Sequence, residues 1–389
     1  MTQKKLLGGY PPTFYLAFLS SFFFFFSLHL LITPLPLYIE EIGGRATEVG
    51  LATGSFAIAA IIARPYMGRF TDARGRKPML LFGTIMFILG PLSYILARSI
   101  GLLVAARMFH GVGIAAFTTA YFALVADVTP PSRWGEALGL AGVAPGASIM
   151  IASPLGTSLI ERVSFAVVFS SAALMALCSL IVALSLREPE KVSVVSQSGS
   201  QKEGSLLAIL RLRGVWTPSF ATLITGLTYG GVFTFLPLFA RERHIGNVGF
   251  FFTASSIMFI LARFVVGRIS DRAWRVSIIL PMFVVLALSM AGLNWTYGLT
   301  MLVLIALING VGFGGARIGL DALVVDNAPG AARGTALGIL YLCYDCGIGI
   351  GSVVMGMLAD FIGYGNIYLL LGLVCILTMV IFGVLMRKH

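Results

Sequence analysis

Gly68-Arg69-Phe70-Thr71-Asp72-Ala73-Arg74-Gly75-Arg76-Lys77-Pro78-Met79-Leu80 is the densest knot of charge in this 389-residue chain. Ile58 to Met67 leads into it and Met79 to Ala97 leads out, both strongly apolar. The stretch therefore predicts a short basic hairpin loop between two membrane helices. A weaker copy follows 199 positions later: Gly267-Arg268-Ile269-Ser270-Asp271-Arg272-Ala273-Trp274-Arg275.

Working outward, the chain is 58% hydrophobic and 11% charged, with mean hydropathy +0.95. A soluble domain carries about 25% charged residues, so a soluble fold is excluded. About 20 apolar residues span the hydrocarbon core as a helix. On that length twelve spans are predicted, near 14–38, 48–67, 78–97, 100–124, 135–159, 164–186, 215–239, 248–266, 277–296, 299–325, 334–359 and 366–386. Unbroken apolar runs of this length exclude a β-barrel, whose strands alternate over about ten residues. The first run is too long for a signal peptide and leads straight into further helices, so it reads as a retained span. Its Phe22 to Phe26 read as a lipid-facing or packing surface.

The formal charge of +11 is distributed as topology demands, not as a nucleic-acid surface. With the N-terminus inside, eighteen Lys and Arg fall on cytoplasmic segments and five (Arg45, Arg98, Arg162, Arg241 and Arg243) on the other side. Such an excess predicts a multi-pass protein of a cell membrane with both termini in the cytoplasm. Cys178, Cys343, Cys346 and Cys375 all fall inside predicted helices, where they read as packing residues. No metal site or cofactor is expected.

One offset of 199 aligns the two halves without a gap. It carries Ala63-Arg64 onto Ala262-Arg263, Asp72 onto Asp271, Gly111 and Gly113 onto Gly310 and Gly312, Asp127 onto Asp326, and Ala137-Leu138-Gly139 onto Ala336-Leu337-Gly338. Six helices per half keep the halves in the same orientation, as parallel repeats about an axis along the membrane normal. The fold class is all-α integral membrane, with twelve transmembrane helices in two parallel six-helix repeats. The expected domains are an N-terminal bundle over 1–186, a cytoplasmic linker over 187–214 and a C-terminal bundle over 215–389.

On these residues the sequence resembles the major facilitator superfamily over essentially its whole length. Gly68 to Lys77 looks like that family's signature loop between its second and third helices, and Gly267 to Arg275 is a degraded copy. Arg107-Met108-Phe109-His110-Gly111-Val112-Gly113 is similar to the helix-4 motif of proton-coupled members. Ala144-Pro145-Gly146 with Ser153-Pro154-Leu155-Gly156 resembles the helix-5 motif of antiporters, without its Gly-Pro pair. The resemblance implies a cytoplasmic gate built from Gly68, Asp72, Arg74, Gly75, Arg76 and Lys77, with Asp271 as the weaker partner. It also implies that helices 1, 4, 7 and 10 line a central cavity with Thr225, Thr228, Tyr229 and Asn309.

Ionisable groups deep in lipid are costly and default to functional candidates. Asp345 lies about eleven residues into its helix, or ~16 Å at 1.5 Å per residue, a depth that suits reversible proton loading. Arg317 and Asp321 are four apart and can pair on one helix face. His29 and Arg107 complete the candidates for substrate contact or proton coupling. Asp127 and Asp326 read as structural loop devices. No nucleophile–base set or phosphate loop is present in the sequence, so an enzyme is not expected.

The sequence reads as a monomeric secondary transporter of a small molecule, coupled to protons and exporting an amphipathic drug-like or metabolite molecule. Two arginines and few carboxylates suit an amphipathic or anionic cargo. The alternatives are an importer or facilitator of a sugar or organic acid and, from another class, a non-transporting scaffold or receptor.

Overall fold

The computed structural model describes residues 9–130, 133–188, 209, 212–270, 274–329 and 333–387. Thirteen helices account for nearly all of them: α1 Pro12–Leu30, α2 Pro34–Glu41, α3 Ala46–Arg74, α4 Arg76–Leu96, α5 Ile100–Asp127, α6 Trp134–Ala141, α7 Val143–Arg162, α8 Phe165–Leu184, α9 Arg213–Glu242, α10 Gly249–Ser270, α11 Arg275–Asn294, α12 Leu299–Asn327 and α13 Arg333–Met386. Ten stretches are long and apolar enough to cross a membrane, with α1 and α2 counted together and most of α6 counted with α7. The last, α13, is two helices run together across Gly363, whose φ of 81° breaks the helical path. With α10 added, the twelve expected spans are all present. Of the linker expected at 187–214, residues 189–208, 210 and 211 lie outside the described residues.

Two compact units emerge, one from Met1–Tyr38 and Ser55–Gln201, the other from Ile39–Gly54 and Lys202–His389. In the first, α1 packs on α7 and α8, and α4 on α5 and α8. In the second, α9 packs on both limbs of α13, and α11 on α12 and α13. The boundary falls inside α3 because its first turns belong with α13. Asp360 accepts hydrogen bonds from the backbone N–H of Ala46 (3.1 Å) and Thr47 (3.2 Å) and from the Thr47 hydroxyl.

The signature stretch is not a loop. Helix α3 runs through Gly68 to Arg74, α4 begins at Arg76, and the chain reverses at Gly75 alone, with φ of 102°. A left-handed φ is accessible to glycine without strain. Within the Phe run, Phe24 takes the packing role, fully buried and stacked between Phe87 (3.8 Å) and Phe117 (3.7 Å).

Close backbone approach sets the packing in both halves. Gly111 abuts the carbonyl oxygen of Phe56, and Gly310, its counterpart at the 199 offset, abuts that of Ser255. Along the seam of α9 and α13, Gly226 faces the Tyr344 carbonyl and Gly347 the Leu223 carbonyl. A Cβ at 347 would sit inside the van der Waals shell of a backbone oxygen that no rotamer change can clear. Overpacking of this kind costs ~1–3 kcal/mol. Gly347→Ala is therefore expected to lower the unfolding temperature in detergent. Gly338→Ala, with open space at its Cβ, is expected to hold or raise it.

Candidate functional site

The second unit holds the most concentrated intramembrane charge. Arg317 on α12 is 7% exposed, and its Nε lies 3.3 Å from the Asp321 carboxylate one turn on. Its guanidinium lies over two rings from α13, Tyr341 (4.8 Å) and Tyr344 (4.4 Å). Burying a guanidinium is costly, and here one carboxylate and two π faces share its charge. Nη1 has no hydrogen-bond partner among the described residues.

Tyr344 connects this ion pair to a cluster of half-buried rings. Tyr229 on α9 stacks on Phe313 at 5.4 Å, and Tyr344 lies 6.0 Å from Tyr229 and 6.2 Å from Phe313. Asp345 is the next residue on α13 and is partly buried. The glycine seam of α9 and α13 brings these groups together, since it lets Tyr344's own backbone touch Gly226. Three helices thus carry an ion pair, a carboxylate and an aromatic face that can meet an amphipathic molecule with both polar and ring contacts. The rings at 341 and 344 were not singled out from the sequence. Their signal is position, four residues and one residue before Asp345.

Thr225, Thr228 and Asn309, expected to line a cavity, turn their side chains into the bundle. Thr225 donates to Thr222 O, Thr228 to Thr225 O, and Asn309 bonds Ser255 and Ser289. Only Tyr229 of that group joins the aromatic face.

His29 and Arg107 belong to the first unit. His29 on α1 is buried, with Nδ1 2.7 Å from the hydroxyl of Ser148 on α7. That hydroxyl also donates to Pro145 O at 2.7 Å. Its one hydrogen being used, Nδ1 must donate, and His29 carries its proton there. Arg107 on α5 is 4% exposed and stacks 4.2 Å over Phe56 of α3.

The residues expected to form a gate lie together at the α3–α4 turn. Arg76 bonds Asp127 (2.8 Å), Asp72 (3.0 Å) and the Thr71 carbonyl (2.9 Å). Arg74 lies over Phe70, Lys77 donates through Nζ to Leu184 O, and the Glu188 carboxylate accepts from the Lys77 backbone N–H. Gly68 has open space around it. The repeat reproduces the central pair, since Arg275 bonds Asp326 at 2.9 Å. Asp127 and Asp326 are thus arginine partners, legible from the offset that relates Arg76 to Arg275. Asp271 lies outside the described residues.

Arg317→Gln is expected to destabilise the protein by about 3 kcal/mol, because it leaves the Asp321 carboxylate without its nearest cation. Arg317→Gln with Asp321→Asn is expected to recover most of that loss, read as unfolding temperature in detergent.

Comparisons with known proteins agree with this architecture. The family model "Major Facilitator Superfamily" matches residues 17–298 and 245–389. The quinolone resistance protein NorA of Staphylococcus aureus is 23% identical over 371 residues, 92% of each chain. The staphylopine export protein of Staphylococcus aureus is 23% identical over 380 residues, again 92% of each. Among solved structures, a POT family transporter in complex with 5-aminolevulinic acid superposes with a TM-score of 0.80 at 15% identity, over 100% of this chain and 98% of that one. The nucleoside transporter NupG gives 0.79 at 14%, over 96% and 100%. At such identities the structures show the shared fold alone. The chain belongs to the Major Facilitator Superfamily, a family of membrane transporters and not of enzymes.

Proposed function

We propose that this transporter is a proton-coupled exporter of an amphipathic drug-like or metabolite molecule, with Asp345 as the proton-loading carboxylate. One observation carries the reading. Asp345 follows Tyr344, the ring that touches both the Arg317–Asp321 pair and the aromatic face of Tyr229 and Phe313. A cargo resting on that face competes with the proton for the neighbouring carboxylate. By reciprocity, bound cargo expels the proton and a bound proton expels the cargo, which is the condition for antiport. Relatives named for quinolone resistance and staphylopine export support the outward direction.

The bundles 1–186 and 215–389 would rock about this region, with both termini in the cytoplasm and a monomer as the working unit. Arg107 and His29 would contribute from the first unit. On the cytoplasmic side Asp72, Arg74, Gly75, Arg76 and Lys77 would act as the gate, and Asp271 as its weaker copy. Asp72, whose side chain is 77% exposed and paired with Arg76 across the α3–α4 turn, would exchange that partner as the gate closes.

One observation favours import of an organic acid instead. An anion on Arg317 Nη1 would displace Asp321, and a proton on Asp321 would then travel with the anion. Flux into proteoliposomes separates the two readings. Inside-acid vesicles are expected to accumulate lipophilic dyes, and Asp345→Asn to abolish the accumulation. Accumulation of organic acids driven by an outside-acid gradient would establish the second reading, and gradient-independent flux equal in both proteins would leave a facilitator.

A further inference from the structure

We propose that Tyr94 and His110 are positioning residues that fix the guanidinium of Arg107, which neither the fold nor the family match assigns to them. This rests on the reading of Arg107 as part of the transport machinery.

The three side chains form a chain across the interface of α4 and α5. Arg107 Nη1 donates to the Tyr94 hydroxyl at 3.4 Å, and that hydroxyl lies 2.7 Å from His110 Nδ1. Because the oxygen accepts from Arg107, its single hydrogen is free to point at His110. Pointing it there leaves no hydroxyl hydrogen unmade, and we assign Nδ1 as the acceptor, with His110 neutral and its proton on Nε2. The phenol is thereby oriented from behind, with its lone pair turned to the arginine.

Two further observations show that the histidine is kept at a cost. His110 is fully buried, and its Nε2 has no hydrogen-bond partner among the described residues. A buried N–H left unmade destabilises the fold, and the ring bears that cost among Phe87 (4.0 Å), Phe56 (5.5 Å) and the phenol of Tyr94. The ring is also accommodated by a glycine, since a Cβ at Gly90 would lie 2.8 Å from its Cγ. A polar ring that gives up one hydrogen bond is explained if its other nitrogen is what matters. Phe56 closes the opposite side, stacked on the guanidinium, so Arg107 is held between a π face and a hydroxyl whose direction His110 sets.

The test is dye transport in proteoliposomes, comparing KM and kcat, with and without Arg107→Gln. Tyr94→Phe and His110→Leu are expected to raise KM about fivefold, the effect of roughly one ordinary hydrogen bond, with little change in kcat. His110→Asn, whose amide oxygen falls near Nδ1, should recover most of the affinity, and His110→Gln, whose polar end falls near Nε2, should not. In the Arg107→Gln background Tyr94→Phe should add nothing. Equal effects of Tyr94→Phe in both backgrounds, or equal behaviour of the Asn and Gln variants, would overturn the proposal. Nitrogen NMR of labelled histidine separates this from the transport reading. An Nε2–H tautomer at His110 supports the relay even where Arg107→Gln transports normally, which would retire Arg107 from transport. An Nδ1–H tautomer overturns the relay itself.

Discussion

Helices that associate in lipid gain little from burying apolar side chains, because the surrounding tails are as apolar as leucine. Association then depends on how closely backbones can approach, and glycine at the crossing point sets that limit. Here the constraint recurs at the sequence repeat: Gly111 meets Phe56 in one half and Gly310 meets Ser255 in the other. The seam of α9 and α13 uses the same device at Gly226 and Gly347. It also positions Tyr344, whose backbone lies in that seam and whose ring covers Arg317. Packing and site are therefore one arrangement, and a methyl group in the seam would disturb both.

Charge inside such a bundle has to be shared out. Arg317 is shared among Asp321, Tyr341 and Tyr344, and Arg107 leans on Phe56 and Tyr94. Aromatic faces carry this duty in both units, which keeps carboxylates scarce. In the function proposed above, Asp345 is the group that exchanges a proton with cargo. At the α3–α4 turn the logic differs, because charges there reach water. Arg76 gathers Asp72 and Asp127 in an exposed network of small individual value, as the proposed gate requires of contacts remade in each cycle.

Much of this was legible in the chain. Length and hydropathy place all twelve spans, because lipid imposes a fixed thickness on every crossing. A single offset relates the halves and carries Gly111 to Gly310 and Arg76 to Arg275. The Arg317–Asp321 pair follows from four-residue spacing alone. Three features were not legible. Hydropathy registers only the part of a helix in lipid, so the continuation of α3 through Gly68 to Arg74 read as a loop. The direction in which Thr225, Thr228 and Asn309 point depends on helix rotation, which periodicity does not set in helices whose few polar residues are scattered among apolar ones. The alignment of His110 with Tyr94, and of Tyr341 and Tyr344 with Arg317, depends on which helices adjoin. Only packing decides that.

The central claim is that cargo and proton exclude each other at one carboxylate, and it is measured most directly at equilibrium. Purified protein in weakly buffered detergent solution, with a pH indicator present, would be mixed with a lipophilic dye such as rhodamine 6G. The account predicts protons released on binding, and no release from Asp345→Asn. Proton uptake on binding, or a release unchanged by that substitution, would contradict it.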